Sequence, residues 1–184
     1  MQKFILLFII IFLTGGCATS PSTRDIIAIK KIAENGDLNA QAELGYSYQY
    51  GDGVDKNTNE ALKWNLTAAN QGSPMAQHNL AVMYDEGVDI PENNAEAIKW
   101  YRKAADQGHP RAQLNLGIMY WKGEGVTKNL EQAWNLLNTV RISSNDKQAK
   151  WAARGALDEI KTEIGSKIGP YSYPEWHVLQ ESIK

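Results

Sequence analysis

Apolar and small residues recur along this chain with a period of 36 residues. Each of three units opens with an alanine, has a leucine four positions later, and has a tyrosine four positions after that leucine. At about 100° per residue these positions form one stripe on a helix, so the pattern predicts a helix whose Ala, Leu and Tyr face a core. The stripes are Ala40, Leu44 and Tyr48, then Ala76, Leu80 and Tyr84, then Ala112, Leu116 and Tyr120.

A second helix is predicted in each unit, after a glycine that ends the first. It begins where an asparagine stands three residues before Glu or Gln, which is the spacing of a capping box. It continues through Trp64 in the first unit and Trp100 in the second, whose shared register on an apolar face favours core packing over a ligand platform. The ending glycines are Gly51, Gly87 and Gly123, the capping asparagines are Asn57, Asn93 and Asn129, and Pro74 and Pro110 suit the first turn of the next unit.

Successive helix pairs of this kind predict an all-α fold, an α/α superhelical solenoid with capping helices at both ends. A lone second helix is expected near residues 25–35, and a last helix over 147–164. The segment 165–184 is aromatic and turn-rich, and is expected either to lie in the groove as a lid or to cap the last helix pair. The body is placed at residues 24–164, with units at 40–75, 76–111 and 112–147.

The repeated pattern A-x-x-x-L-G-x-x-Y-x-x-G-x-G-V, followed by A-x-x-W-x-x-x-A-A-x-x-G, resembles the Sel1-like repeat (SLR) family, a relative of the tetratricopeptide repeats. The resemblance is strong from Ala40 to about Ala133 and weaker in the flanks. The second unit departs from it at Ala81, in place of Gly, and at Asp89, in place of the second loop Gly. The resemblance implies a superhelical adaptor that binds other proteins, and in bacteria many such proteins are secreted or periplasmic.

The N-terminus has the composition of a bacterial export signal. Residues 1–16 contain a basic residue and then an apolar run, 4–13, that is too short to span a bilayer, which takes about 20 residues. The LTGGC sequence resembles a lipobox, which implies lipidation of Cys17 and a short tether over 17–23. Ala18 follows that cysteine where an inner-membrane retention signal usually has Asp, so the resemblance implies an outer-membrane anchor facing the periplasm. The alternative is an ordinary cleaved leader followed by a free thiol.

Composition excludes several function classes. A formal net charge of -2 gives no reason to expect a nucleic-acid partner, whose phosphates require a basic face. The three histidines form no zinc-binding motif. The acidic loop after Tyr84 lacks the ligand spacing of a calcium-binding EF-hand, and the glycine loops lack the Walker pattern of a phosphate-binding loop. No nucleophile–base signature is present in the sequence. We therefore expect no cofactor, no metal and no enzymatic activity.

Candidate binding residues come from the faces of the first helices that the stripes leave open. In tetratricopeptide-like arrays these helices line the concave surface, and positions two, six, nine and ten after the opening alanine point away from the stripe. Their mixture of aromatic, charged and apolar side chains is typical of protein interfaces. The alternative is that they are solvated or packed against the tail. The candidates are Tyr46, Gln49, Tyr50, His78, Val82, Asp85, Glu86, Arg111, Ile118, Trp121 and Lys122, together with Asn39, Ala42, Met75 and Leu114.

Three functions remain open at this point. The leading hypothesis is a non-enzymatic adaptor of the bacterial cell envelope that binds a protein on the concave surface. Resemblance suggests a narrower version, an immunity protein that neutralises a secreted antibacterial effector such as a phospholipase. The third is a module that binds glycan or peptidoglycan, in which Tyr46, Tyr50 and Trp121 would stack on sugar rings.

Overall fold

The computed structural model describes residues 25–87 and 89–168, with side chains as far as residue 165. All regular secondary structure in this part of the chain is helical, which confirms the predicted all-α class. The predicted signal peptide, Cys17 and its tether, and residues 169–184 of the predicted tail lie outside the described residues; residues 165–168, predicted as tail, continue the last helix. The helices are α1 (Ile26–Glu34), α2 (Leu38–Tyr50), α3 (Thr58–Asn70), α4 (Pro74–Glu86), α5 (Asn94–Asp106), α6 (Pro110–Lys122), α7 (Leu130–Ser143) and α8 (Lys147–Ile168).

Helices pack in consecutive pairs, and the pairs stack on one another. Within the units α2 packs on α3, α4 on α5, and α6 on α7, while α3 also contacts α4 and α5 contacts α6. The first helices meet as well, because α2 contacts α4 and α6 contacts α8. This arrangement is the predicted superhelical solenoid.

The predicted caps are present, but the capping boxes are only half formed. The side-chain oxygen of each capping asparagine accepts the N–H of the residue three positions later, at 2.9 to 3.1 Å. The backbone N–H of the same asparagine donates to the carbonyl of the stripe tyrosine instead of to a Glu or Gln side chain, as in Asn57 to Tyr48 at 2.9 Å. Glu60 is therefore free to accept the indole N–H of Trp64 at 3.1 Å. Each second helix is thus tied at its start to the end of the first.

Glutamines that follow the opening alanines join one unit to the next. Each donates its side-chain amide to an alanine carbonyl near the end of the preceding helix. Each of these carbonyls also accepts the backbone N–H of the glycine that follows the helix, so the glutamine fills its second acceptor position. A net hydrogen bond of this kind contributes about 1 kcal/mol. The bonds are Gln41 to Ala33 at 3.0 Å, Gln77 to Ala69 at 3.1 Å and Gln113 to Ala105 at 3.2 Å.

The glutamine hydrogen bonds and the helix caps show which half of a unit each end helix corresponds to. Because α1 supplies the first of the accepting carbonyls, it has the role of a second helix, as predicted. The last helix, α8, begins as a first helix does, since Asp146 accepts the N–H of Ala149 at 3.0 Å just as Asp37 accepts that of Ala40 at 2.8 Å. The described chain therefore starts with one half of a unit and ends with the other half.

The closest approach between helices of one unit occurs at the small residue after the leucine. A Cβ atom built at Gly45 would lie 2.6 Å from the side-chain amide of Asn65, which is fully buried. Asn65 cannot move away easily, because its oxygen accepts a hydrogen bond from the buried Asn79 at 3.2 Å. A small residue at this position therefore permits the close approach of the two helices.

The core contains the predicted leucines and one of the three stripe tyrosines. Leu44, Leu80 and Leu116 are buried, and Tyr120 is buried, while the other two stripe tyrosines are half-buried. Trp100 is also buried, with 9% of its surface exposed and the Lys103 ammonium 3.8 Å from its ring centre.

Trp64 lies at the edge of the core. It is partly buried against the smaller apolar cluster formed with α1 and α2. We expect its truncation to cost less than the roughly 3–5 kcal/mol usual for a fully buried tryptophan.

The loop of the second unit keeps its shape without the second glycine. Asp89 has a φ of 61°, in the left-handed region that Gly53 and Gly125 occupy in the other units. Its carboxylate contacts the Lys56 ammonium at 2.5 Å and accepts from Thr58 at 3.3 Å. The aspartate thus joins the loops of two successive units.

The same Gly→Ala substitution at two helical positions should have opposite effects. Gly155 has no atom within 4 Å of a built Cβ, so Gly155→Ala should raise the free energy of unfolding by up to about 1 kcal/mol through helix propensity. Gly45→Ala should lower it by about 1–3 kcal/mol, because the methyl group meets Asn65. Urea denaturation followed by circular dichroism measures both, and a gain in stability at Gly45 would contradict the close approach.

Candidate functional site

The first helices of successive units line a groove with a volume of about 490 Å³. Its walls come from α2, α4 and α6, and α8 closes one end with Gln148, Ala149 and Ala152. Seven of the eleven predicted binding residues lie together in this groove: Tyr46, Gln49, Tyr50, His78, Val82, Glu86 and Arg111.

Two tyrosines form the most exposed aromatic surface of the groove. The rings of Tyr46 and Tyr50 lie 4.6 Å apart, and the residues are 40% and 49% exposed. The Tyr50 hydroxyl accepts the side-chain amide of Gln49 at 3.2 Å. Burial, then the charge of Glu86, raises the pKa of Tyr50, so its hydroxyl stays neutral at pH 7.

Two histidines form an uncharged pair at the groove, of which His78 lines it. His78 stacks on His109 with ring centres 4.7 Å apart, and burial followed by the second histidine lowers the pKa of His78 to about 4. Burial, then Arg111, lowers the pKa of His109 as well, and its Nδ1 accepts the N–H of Ala112 at 3.3 Å. His109 therefore caps α6, as its position before Pro110 predicts.

Arg111 connects the groove to the last helix. Its guanidinium donates to the Asp146 carboxylate at 2.8 Å and to the Gln148 side chain at 3.2 Å. The arginine lowers the pKa of Asp146, so this pair is ionised at pH 7. The contact fixes the start of α8 at the end of the groove.

The family of the chain follows from its repeats. The Sel1 repeat model matches residues 38–73, 74–109 and 110–138, which together are more than half of the chain. The chain belongs to the Sel1 repeat family. The matched Sel1 repeats begin where α2, α4 and α6 begin, two residues before the opening alanines.

Solved structures with the same repeat are similar along most of the described chain. A Sel1 repeat protein from Oxalobacter formigenes is 36% identical, covers 72% of this chain and 98% of its own, and has a TM-score of 0.60. The protective antigen c5321 of uropathogenic Escherichia coli, with an SLR fold, is 33% identical over 77% of this chain but only 28% of its own, with a TM-score of 0.61. Cysteine rich protein B of Helicobacter pylori, 20% identical over 68% of this chain and 94% of its own, shares the fold at a TM-score of 0.55. No curated protein matches this chain.

Four of the predicted binding residues lie outside the Sel1 repeat groove. Trp121 is partly buried and donates its indole N–H to Glu163 of α8 at 2.9 Å. Lys122 pairs with Glu124 at 3.5 Å, and Ile118 packs against the core. The fourth is Asp85, whose carboxylate accepts the hydroxyl of a buried tyrosine.

That tyrosine is the centre of a buried polar cluster between repeats. The Tyr101 hydroxyl donates to Asp85 at 3.1 Å and accepts the side-chain amide of Asn115 at 2.9 Å. Burial, followed by the charge of Asp85, raises the pKa of Tyr101, and burial also raises the pKa of Asp85. The Asp85 carboxylate thus accepts a hydrogen bond from a buried residue and does not line the groove.

Ala42 was expected on the open face, and this expectation is wrong. The residue is fully buried, and its carbonyl accepts the side-chain amide of Asn79 from the next first helix at 3.1 Å. A first helix packs against the second helix of its own unit and also against helices of the adjacent units. These adjacent helices bury part of the face that lies away from the Ala–Leu–Tyr stripe. Met75 is partly buried for the same reason, whereas Leu114 does line the groove.

Asparagines were the groove residues that the stripe pattern did not predict. Asn79 and Asn115 line it, and they stand 36 residues apart, one position after His78 and Leu114. The 36-residue spacing of these asparagines could have identified them from the sequence, and the same holds for the linking glutamines. Polar residues that recur at the repeat period are expected to form hydrogen bonds within or between units, as the capping asparagines also do.

Two further observations concern the described residues only. No group of three or more His, Cys, Asp or Glu side chains in residues 25–87 and 89–168 is arranged to hold a metal ion. Among the same residues, no helix combines the length and the apolar character required to cross a bilayer.

The stacked histidines should make stability depend on pH. As the pH falls below 6.5 the unfolded chain takes up protons, while folded His78 stays neutral down to about 4. The free energy of unfolding should therefore decrease from pH 6.5 towards 4, with a slope approaching about 1.4 kcal/mol per pH unit for each proton. His78→Gln should reduce this slope between pH 6.5 and 5, measured by urea denaturation at each pH; an unchanged slope would show that His78 does not titrate differently in the two states.

Proposed function

We propose that this Sel1 repeat protein is an adaptor of the bacterial cell envelope that binds a protein partner in the groove along α2, α4 and α6. Sel1 repeats are in general protein-interaction modules, and their fold is typically a non-catalytic scaffold. The single observation that supports this site best is the exposed Tyr46–Tyr50 pair at a groove that crosses three repeats.

The surroundings of the tyrosines favour a partner surface of mixed polarity. Val82 and Leu114 offer apolar contacts, while Glu86 is exposed and available to a cation. The histidines are neutral at pH 7, so burying this part of the groove would not require removing water from a charge. Tyrosine also combines a large apolar ring with a hydroxyl that forms hydrogen bonds, which is why it is frequent at binding hot spots.

The cellular location is part of the proposal. The resemblance of residues 1–17 to a lipoprotein signal supports an N-terminal lipid on Cys17. A tether of a few residues would then hold the solenoid close to the membrane, where the groove could meet a periplasmic protein. This location would also suit an inhibitor of a secreted effector.

Removal of the tyrosine rings should abolish partner capture without unfolding the protein. The double variant Tyr46→Ala/Tyr50→Ala removes two half-exposed rings and should leave the circular dichroism spectrum unchanged. Affinity capture from envelope extract, followed by mass spectrometry, should recover a partner with the wild-type domain and lose it with this variant. The matched control is Ile142→Ala, which truncates a 62% exposed apolar residue outside the groove and should keep the partner.

Each alternative function predicts a different experimental result. Equal capture by both variants would exclude the groove as the binding site. Retention of the wild-type domain on purified peptidoglycan, with no protein recovered, would support the glycan-binding function instead. If the recovered partner is a secreted toxin, rescue of poisoned cells by this protein would identify the adaptor as an immunity protein.

Lipidation can be tested separately from binding. Cys17→Ser removes the thiol that would carry the lipid, so labelled palmitate should be incorporated into the wild-type chain and not into the variant. The variant should move from the membrane fraction to the soluble fraction. Equal membrane recovery of both proteins would contradict the lipid anchor and leave the groove hypothesis unaffected.

A further inference from the structure

The junction between α7 and α8 lacks the link that joins the other units. At the earlier junctions an alanine carbonyl accepts the amide of the glutamine that follows the opening alanine. In α7 the alanine position, 36 residues after Ala105, is Arg141. In α8 the residue after the opening Ala149 is Lys150. The glutamine donor of the link is therefore replaced by a lysine, and the residue at the acceptor position has a cationic side chain in place of a methyl group.

A second groove, of about 700 Å³, lies at this junction. Its lining contains five cationic side chains and one acid, Asp158, which pairs with Lys161 at 3.2 Å. Arg141 donates to Asn138 on its own helix. The side chains of the other three cations form no ion pair or hydrogen bond with any residue that the structure describes; they are Lys147, Lys150 and Arg154.

Two tryptophans lie among these cations. Trp151 is 81% exposed, which makes it the most exposed tryptophan of the described chain, and it stands next to Lys150. Trp134 is half-buried on the α7 side, with the Lys161 ammonium 5.8 Å from its ring centre. An exposed indole beside unpaired cations fits a ligand that brings both negative charge and an apolar group.

The shape of the groove favours an extended chain as the ligand. From Lys147 to Lys161 the α8 axis rises by about 21 Å, which is the length of about six residues of extended polypeptide. Cations distributed along this length do not converge on one point, as a single phosphate would require. A concave groove between two helices also admits a chain more readily than the plane of a bilayer.

We propose that the α7–α8 groove binds an acidic, extended segment of a protein partner. Its carboxylates pair with Lys147, Lys150 and Arg154, and one aromatic or aliphatic side chain covers Trp151. This surface shares no lining residue with the groove that contains Tyr46 and Tyr50. It is therefore a second binding site, and it does not depend on the function proposed for the first.

The test is binding of a fluorescein-labelled octapeptide, Asp-Glu-Glu-Tyr-Glu-Glu-Leu-Asp, to the mature full chain, followed by fluorescence anisotropy. A peptide with Asn and Gln in place of the acids is the ligand control. Wild-type protein should bind the acidic peptide at least about tenfold more tightly than the neutral one. The affinity should fall as NaCl rises from about 50 mM to about 300 mM, because salt screens the charges.

Charge reversal separates this site from the overall charge of the protein. Lys150→Glu/Arg154→Glu should weaken binding of the acidic peptide at least about tenfold. Lys30→Glu/Lys31→Glu, on the exposed surface of α1, makes the same change in net charge and should leave the affinity within about twofold of wild type. The indole emission of the wild-type chain should shift to shorter wavelength on binding, and Trp151→Phe should remove most of that shift.

Several outcomes would overturn the proposal. One is equal loss of affinity in both charge-reversal variants, which would show a nonspecific effect of net charge. Another is the absence of peptide binding at low salt. Tighter binding to phosphatidylglycerol vesicles or to polygalacturonate than to the peptide would assign the groove to a membrane or to an acidic glycan. The Tyr46→Ala/Tyr50→Ala variant should still bind the peptide, so failure of one site does not decide the other.

Discussion

Each glutamine that follows an opening alanine donates its amide to a carbonyl at the end of the preceding unit, and the rest of the structure depends on this approach. The helices approach closely enough for this bond with buried alanines on both sides of each junction, such as Ala33 and Ala40 at the first. Once it forms, the spacing of successive first helices is fixed, and with it the groove that they line. Leucines and tyrosines supply the apolar area, but they would tolerate several helix spacings.

The two grooves described above differ in whether the helices beside them are joined by this link. Where the link is present, the buried Asn79 joins two first helices by donating to the Ala42 carbonyl, and the groove above them contains the neutral His78 and two tyrosines. At the junction of α7 and α8, where Lys150 stands in place of the glutamine, the surface has a cationic groove. The chain has a net charge of only -2, so this local excess of cations is not visible in the overall composition.

The fold could be predicted from the sequence because its signals are local and occur three times. Caps, ending glycines and the Ala–Leu–Tyr stripe agree with one another in every unit, and each is decided within a few residues. Seven of eleven candidate groove residues could also be placed, since a helix has a fixed angular period. The remaining four could not, because the angular period of a single helix does not show which of its side chains contact a neighbouring helix or loop. Trp121 contacts a residue 42 positions later, and Asp85 contacts a tyrosine from the following helix.

The half-units at the two ends have a consequence for how such a protein changes length. The described chain begins with a lone second helix, α1, and ends with a lone first helix, α8. Every complete unit therefore has a second helix before it and a first helix after it. Duplication or loss of one 36-residue segment in the interior would leave both terminal surfaces intact. The groove could therefore become longer or shorter in evolution by whole units, and no new residues would be required to cover the ends of the core.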